Sequence, residues 1–163
     1  MLDAIAAMQP ASGQGCLVYA TAHGVPERGL YLPADPRDPI LTPERLDRAL
    51  AQGCGNAPTV VVLSGCYAGL YLRPPLTRAN RVILTAARRD RPSFGCGAGY
   101  VFTEFDDCMI SAIEASRTVW RETFAAATAC VAAREQTQNL TQSEPQAWFG
   151  NAVSALALPG RGP

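Results

Sequence analysis

The chain contains no lysine: all 14 basic residues are arginine, 14 acidic residues balance them, and the formal charge is zero. Without a basic surplus it lacks the electrostatic footprint of a sequence-independent nucleic-acid binder, so no nucleic-acid partner is expected. The arginine bias reads as the mark of a GC-rich genome. Histidine is nearly absent too, with His23 the only one. None of the six cysteines, at 16, 54, 66, 96, 108 and 130, forms a CxxC pair. That set argues against a structural zinc site, and no metal or other cofactor is expected. No apolar run approaches the ~20 residues that cross a bilayer, so no transmembrane segment is expected. The opening Met1-Leu2-Asp3-Ala4-Ile5-Ala6-Ala7-Met8 lacks the basic stretch that begins a signal peptide and reads as an amphipathic helix.

What is present suits a folded domain. At 163 residues, 48% of them hydrophobic, the chain is long enough to bury a core, and 1–163 reads as one domain. Residues 1–15 form its opening helix and loop, and the Gly/Pro stretch 159–163 reads as a loose tail. Cys16, Cys108 and Cys130 sit in apolar periodic segments, where a cysteine acts as a small hydrophobe, so free thiols are expected.

Strands and helices alternate. A helix at about 2–9 leads to a strand at 16–22. The segment 29–41, interrupted by Pro33, Pro36 and Pro39, reads as an irregular hairpin or long loop. Thr42-Pro43-Glu44 opens a helix with an N-cap, a proline at the first helical position and an acid in the first turn. Strands follow at 59–64 and 81–86, then a polar loop from Arg88 to Gly99. Three- and four-residue spacing predicts helices at about 101–116 and 118–136, and a last helix at 146–157. Continuous apolar strands between helices imply a parallel sheet covered on both faces, whose functional groups gather beyond the carboxyl ends of the strands.

Two such ends carry chemistry. Leu17-Val18-Tyr19-Ala20-Thr21-Ala22 runs into His23-Gly24, and Thr59-Val60-Val61-Val62-Leu63 runs into Ser64-Gly65-Cys66. An imidazole beside a thiol can take its proton and leave the thiolate, which is the attacking form. The Arg88-Arg89-Asp90-Arg91 run reads as a solvated loop, with attraction of an acidic substrate as the alternative. Cys96 reads as a packing residue under its loop, with a second redox-sensitive thiol as the alternative.

These blocks resemble those of the legumain family of cysteine peptidases, relatives of the caspases. Tyr19-Ala20-Thr21-Ala22-His23-Gly24 and Leu63-Ser64-Gly65-Cys66-Tyr67-Ala68-Gly69 are similar to the family's His-Gly and Cys-x-x-Gly blocks. Leu84-Thr85-Ala86-Ala87, Ser93-Phe94-Gly95-Cys96, Tyr100-Val101-Phe102-Thr103-Glu104, and Ser143-Glu144-Pro145-Gln146 with Gly150 follow in the family's order. The resemblance implies an α/β fold, a caspase-like three-layer sandwich with a mostly parallel sheet. It also implies a thiol-dependent endopeptidase acting on peptide or protein substrates and cutting after Asn or Asp. Cys66 would be the nucleophile and His23 its proton partner. The N–H groups of Gly24 and Cys66 would form the oxyanion hole, and Ser93 and Glu104 would line the pocket for the residue before the cut. Ala22 and Tyr67 replace acids found in animal and plant relatives, and Cys-Tyr-x-Gly matches bacterial members. Family members begin with a strand–helix–strand unit ahead of the helix that opens this chain. An N-terminally truncated fold with an unpaired sheet edge, an impaired copy poorly active on its own and open to self-association, is therefore expected. Acyl transfer between chains by the same dyad, or a non-catalytic interaction module, are the alternative functions.

Overall fold

The computed structural model describes residues 1–33, 38–97, 99–115 and 118–160. Pro36 and the last three residues of the expected loose tail lie outside them. The chain runs α1 (Leu2–Ala6), β1 (Cys16–Thr21), β2 (Gly24–Val25), β3 (Gly29–Tyr31), β4 (Ile40–Leu41), α2 (Pro43–Gly53), β5 (Thr59–Ser64), a 3-10 turn (Ala68–Tyr71), β6 (Arg81–Thr85), α3 (Glu104–Glu114), α4 (Trp120–Thr137) and β7 (Gln146–Phe149).

The main sheet has the order β1-β5-β6-β7. β1, β5 and β6 are parallel, and β7 runs antiparallel beside β6. β5 is buried at every residue, and its side chains alternate between two cores. Val61 and Leu63 meet Ile5, Leu46, Leu50 and Tyr71 on the α1–α2 side. Val60 and Val62 meet Phe105, Met109, Trp120 and Phe124 on the α3–α4 side. This is why the sequence of β5 shows no polar alternation: a strand covered on both faces has no wet side.

α2 starts as its sequence predicts. Thr42 Oγ1 accepts the Arg45 N–H at 3.2 Å, and Pro43 occupies the first turn. Thr103 does the same for α3, accepting the Asp106 N–H at 3.1 Å. The segment 29–41 resolves into short strands β3 and β4, which with β2 make a separate antiparallel ribbon. Buried Tyr71 pins this ribbon to the main body. Its hydroxyl accepts the Leu30 N–H at 2.9 Å and donates to the Leu41 carbonyl.

Two expectations are corrected. The stretch expected as a last helix at 146–157 is β7 followed by turns. Only four residues separate Pro145 from Gly150, too short a run for a stable helix, and the open edge of β6 captures them from Thr85↔Gln146 to Val82↔Phe149. The cysteines expected as free thiols are also mostly bonded: Cys16 joins Cys54 and Cys108 joins Cys130. Periodicity identified Cys16, Cys108 and Cys130 as inward-facing but could not show what each one faces. Cys16 opens β1 directly against the C-cap of α2, and Cys108 and Cys130 oppose each other across the α3–α4 packing. Among the described residues β1 is an edge strand, paired with β5 alone. Among the described residues no helix is long and apolar enough to cross a membrane.

The bridges close loops separated by 38 and 22 residues, each worth about 3–4 kcal/mol by the chain-entropy argument. Cys54→Ser and Cys130→Ser are each expected to lower the unfolding free energy measured in urea by that order, whereas Cys96→Ser leaves it unchanged. Equal values in all three variants would contradict the pairing. Tyr71→Phe keeps the ring but strands a buried N–H and a buried carbonyl. It is expected to cost about 1–3 kcal/mol in the same measurement.

Candidate active site

The site is built where β1 and β5 end. Their parallel register runs from Cys16↔Thr59 to Thr21↔Ser64, and the Ala22 N–H continues it to the Ser64 carbonyl at 3.0 Å. Two residues past the last pair on each strand stand His23 and Cys66. Adjacent strands lie about 4.8 Å apart, so the register carries imidazole and thiol to the same level of the sheet. Both line one crevice of about 170 Å³, together with Thr21, Ala22, Ser64, Phe94 and Thr103. Gly65, Ser93 and Cys96 complete it.

Small residues let the two ends approach. A Cβ on Gly24 would fall 1.7 Å from the Cys66 carbonyl oxygen, and one on Gly65 would fall 2.4 Å from the Ala22 carbonyl oxygen. The backbone beyond each end is fixed from elsewhere. The His23 carbonyl accepts the Tyr31 N–H at 2.7 Å, tying the histidine to the ribbon. Tyr67 takes φ +60°, a left-handed conformation that costs a tyrosine about 1–3 kcal/mol. It is held there by its N–H to the Arg91 carbonyl at 2.8 Å. The turn swings the chain away from the half-buried Cys66 and leaves its side chain facing the crevice.

Ser93 contacts the sulfur directly. Its N–H donates to Cys66 Sγ at 3.3 Å, the thiol points to its carbonyl at 3.4 Å, and its Oγ lies 3.9 Å away. Glu104 is placed differently. Its buried carboxylate accepts from Arg134 at 3.1 Å and Gln138 at 2.7 Å, turned towards α4. It lines a neighbouring hollow of about 210 Å³ with Tyr100, Val101, Phe102, Asp107 and Arg134. In the crevice of the thiol its neighbour Thr103 is found instead, with Oγ1 at 3.2 Å from Ser64 Oγ. The loop block is clamped to α3 by the Glu104 N–H to the Phe94 carbonyl at 3.1 Å.

The arginine run is largely ion-paired. Arg88 bonds Asp90 and Glu144, each at 2.5 Å, Arg91 approaches Glu144 at 3.5 Å, and Arg89 meets Glu27 at 2.9 Å. The Arg88 hydrogen bond holds the Asp90 carboxyl below its usual range. Nearby, although Tyr19 is about 40% exposed, enclosure of its hydroxyl end against Asp106 and then the charge of that carboxylate push the phenol well above its ordinary value. The Tyr19 hydroxyl donates to Asp106 at 2.7 Å and Thr21 Oγ1 to the same carboxylate at 3.2 Å, fastening the outer face of β1 to α3. Cys96, expected as a packing residue, is exposed. Among the described residues no group of three His, Cys, Asp or Glu side chains is placed to hold a metal ion.

Sequence reasoning missed Thr103 and Tyr71. Thr103 precedes an acidic first turn and is legible as a cap. Tyr71 carries no such signal, because its partners are backbone groups far away in sequence.

No curated protein sequence matches the chain significantly. Among solved structures, the crystal structure of caspase-1 from Spodoptera frugiperda superposes with a TM-score of 0.65 at 16% identity. The match covers 91% of this chain and 66% of the caspase, so the chain spans just under two thirds of that relative. This likeness shows the fold as caspase-like, with a mostly parallel sheet between helical layers. The Peptidase C13 profile matches residues 8–158. The chain therefore belongs to the Peptidase C13 family, the cysteine peptidases of the legumain type.

Proposed function

We propose that this cysteine peptidase hydrolyses peptide bonds after Asn or Asp with Cys66 as nucleophile and His23 as proton carrier. The observation that carries the reading is the β1–β5 register, which ends level with both residues in one crevice. Cys66 Sγ attacks the carbonyl carbon of the scissile bond while the His23 imidazole holds the thiol proton. Collapse of the tetrahedral intermediate passes that proton to the departing amine and leaves a thioester on Cys66. Water, losing a proton to His23, then releases the acid. The N–H groups of Gly24 and Cys66 receive the developing oxyanion, and one such donor contributes roughly 10²–10³-fold in rate. Ser93, at the sulfur, offers a hydroxyl to a substrate side chain of either polarity. Glu104 supports the adjoining wall from its place against α4 and reaches substrate only by exchanging Arg134 or Gln138 for it.

Fluorogenic peptides with Asn or Asp before the cut test the assignment. Cys66→Ala is expected to abolish turnover, and His23→Ala to lower kcat/KM by about 10²–10⁴-fold. Turnover that survives Cys66→Ala removes the thiol from the mechanism.

Self-association through β1 belongs to the same proposal. The strand carries no charge, and Leu17 and Tyr19 are about 40% exposed on one face. An uncharged, unpaired edge of this kind invites another strand. Sedimentation at rising concentration is expected to show dimers or larger species, and Leu17→Lys to restore the monomer. A wild-type chain that stays monomeric throughout contradicts this.

A further inference from the structure

Four cysteines are committed to disulfides, and the two that are not, Cys66 and Cys96, line the same crevice of about 170 Å³. Structural disulfides are bonds that an oxidising compartment makes and keeps, so the two free thiols face the same conditions. Their surroundings differ. Cys66 is half-buried, its sulfur seated on the Ser93 backbone at 3.3 and 3.4 Å. Cys96 is exposed, three residues beyond Ser93. A three-residue segment reaches about 10 Å at most, so Cys96 is tethered near the Cys66 sulfur.

The backbone around Cys96 is packed on one side and open on the other. Up to Gly95 it is clamped: Phe94 accepts the Glu104 N–H at 3.1 Å, and a Cβ on Gly95 would fall 2.6 Å from Glu104 N. Added Cβ atoms on Gly97 and Gly99, by contrast, would meet nothing within 4 Å, so among the described residues no neighbour packs against either glycine. A disulfide needs Cα atoms about 4.4–6.8 Å apart. Rotation about the Cys96 backbone, beyond the packed Gly95 and beside the open Gly97, turns its thiol inward while the Cys66 side stays fixed.

We propose that Cys66 and Cys96 form a dithiol oxidation site at which a low-molecular-weight disulfide reversibly closes the active site. The exposed Cys96 thiolate attacks one sulfur of the small disulfide, giving a mixed disulfide and releasing one small thiolate. The Cys66 thiolate then attacks the Cys96 sulfur and expels the second. Two protein thiols and one small disulfide become one protein disulfide and two small thiols, and two electrons pass to the small molecule. While bonded, the Cys66 sulfur cannot attack a carbonyl, and it is shielded from irreversible oxidation to the sulfinic acid. Only the loss of turnover rests on the proposed role of Cys66; the sulfur exchange does not.

The test incubates the native protein with excess glutathione disulfide, quenches in acid, and reads intact mass and non-reducing peptide maps. Wild type is expected to lose two hydrogens with no adduct and to yield one peptide pair joining Cys66 to Cys96. Cys96→Ser, a change at an exposed position, is expected to carry one glutathione on Cys66 instead. Peptide turnover of the wild type is expected to vanish with the bridge and return on mild reduction. Stable glutathione on either thiol of the wild type, or bridges from Cys66 or Cys96 to the four paired cysteines, would overturn the proposal. A bridge forming in a protein that never cleaves peptides would uphold the site and reject the peptidase assignment, so the two failures are distinguishable.

Discussion

Parallel pairing of β1 with β5 is the constraint on which the site depends. A parallel ladder transmits register along its whole length, so six residue pairs from Cys16↔Thr59 to Thr21↔Ser64 decide what meets beyond the strand ends. A one-residue slip would turn the side chains of β1 over, sending Val18 and Ala20 out of the core and exchanging them with Leu17 and Tyr19. The buried Val-rich β5 and the half-wet β1 therefore hold the same register that brings His23 and Cys66 level. Core packing and chemistry are specified together.

The remaining structure protects that alignment. Cys16–Cys54 anchors the start of β1 to α2, while Tyr19 and Thr21 fasten its outer face to Asp106 of α3. The ribbon of β2, β3 and β4 receives the chain after His23 and is itself pinned by Tyr71. On the Cys66 side, the left-handed Tyr67 and the Ser93 backbone fix where the sulfur points. Arg81 shows the same economy at the opposite end of the sheet. It is buried, with one guanidinium nitrogen held at 2.6 Å from Asp47 and 3.0 Å from the Leu76 carbonyl. Burial lowers its proton affinity, and Asp47 opposes that effect.

Much of this was legible in the sequence because its signals are local. Apolar runs gave the three parallel strands, Thr42-Pro43 gave the start of α2, and His23-Gly24 and Gly65-Cys66 marked the strand ends. What escaped depends on partners distant in the chain. Gln146–Phe149 carries a pattern that suits either a helix or a strand, and the free edge of β6 decided it. Inward-facing cysteines look alike until Cys108 is seen opposite Cys130. Glu104 stands at the expected start of α3, but Arg134 and Gln138, 30 and 34 residues on, direct its carboxylate away from the thiol. Cys96 was expected packed under its loop, yet it stands exposed along the crevice. Residue type fixed the chemistry available; tertiary neighbours fixed its direction.

The most direct measurement of the central claim is the rate at which a small neutral haloacetamide alkylates each free thiol at neutral pH, followed peptide by peptide in wild type and His23→Ala. Cys96 serves as the internal reference, being exposed and outside the proposed dyad. If the β1–β5 register brings imidazole to sulfur, loss of His23 slows alkylation of Cys66 severalfold or more and leaves Cys96 unchanged. Equal Cys66 rates in the two proteins would mean that the imidazole does not reach the thiol, and the account of this crevice as a catalytic dyad would be wrong.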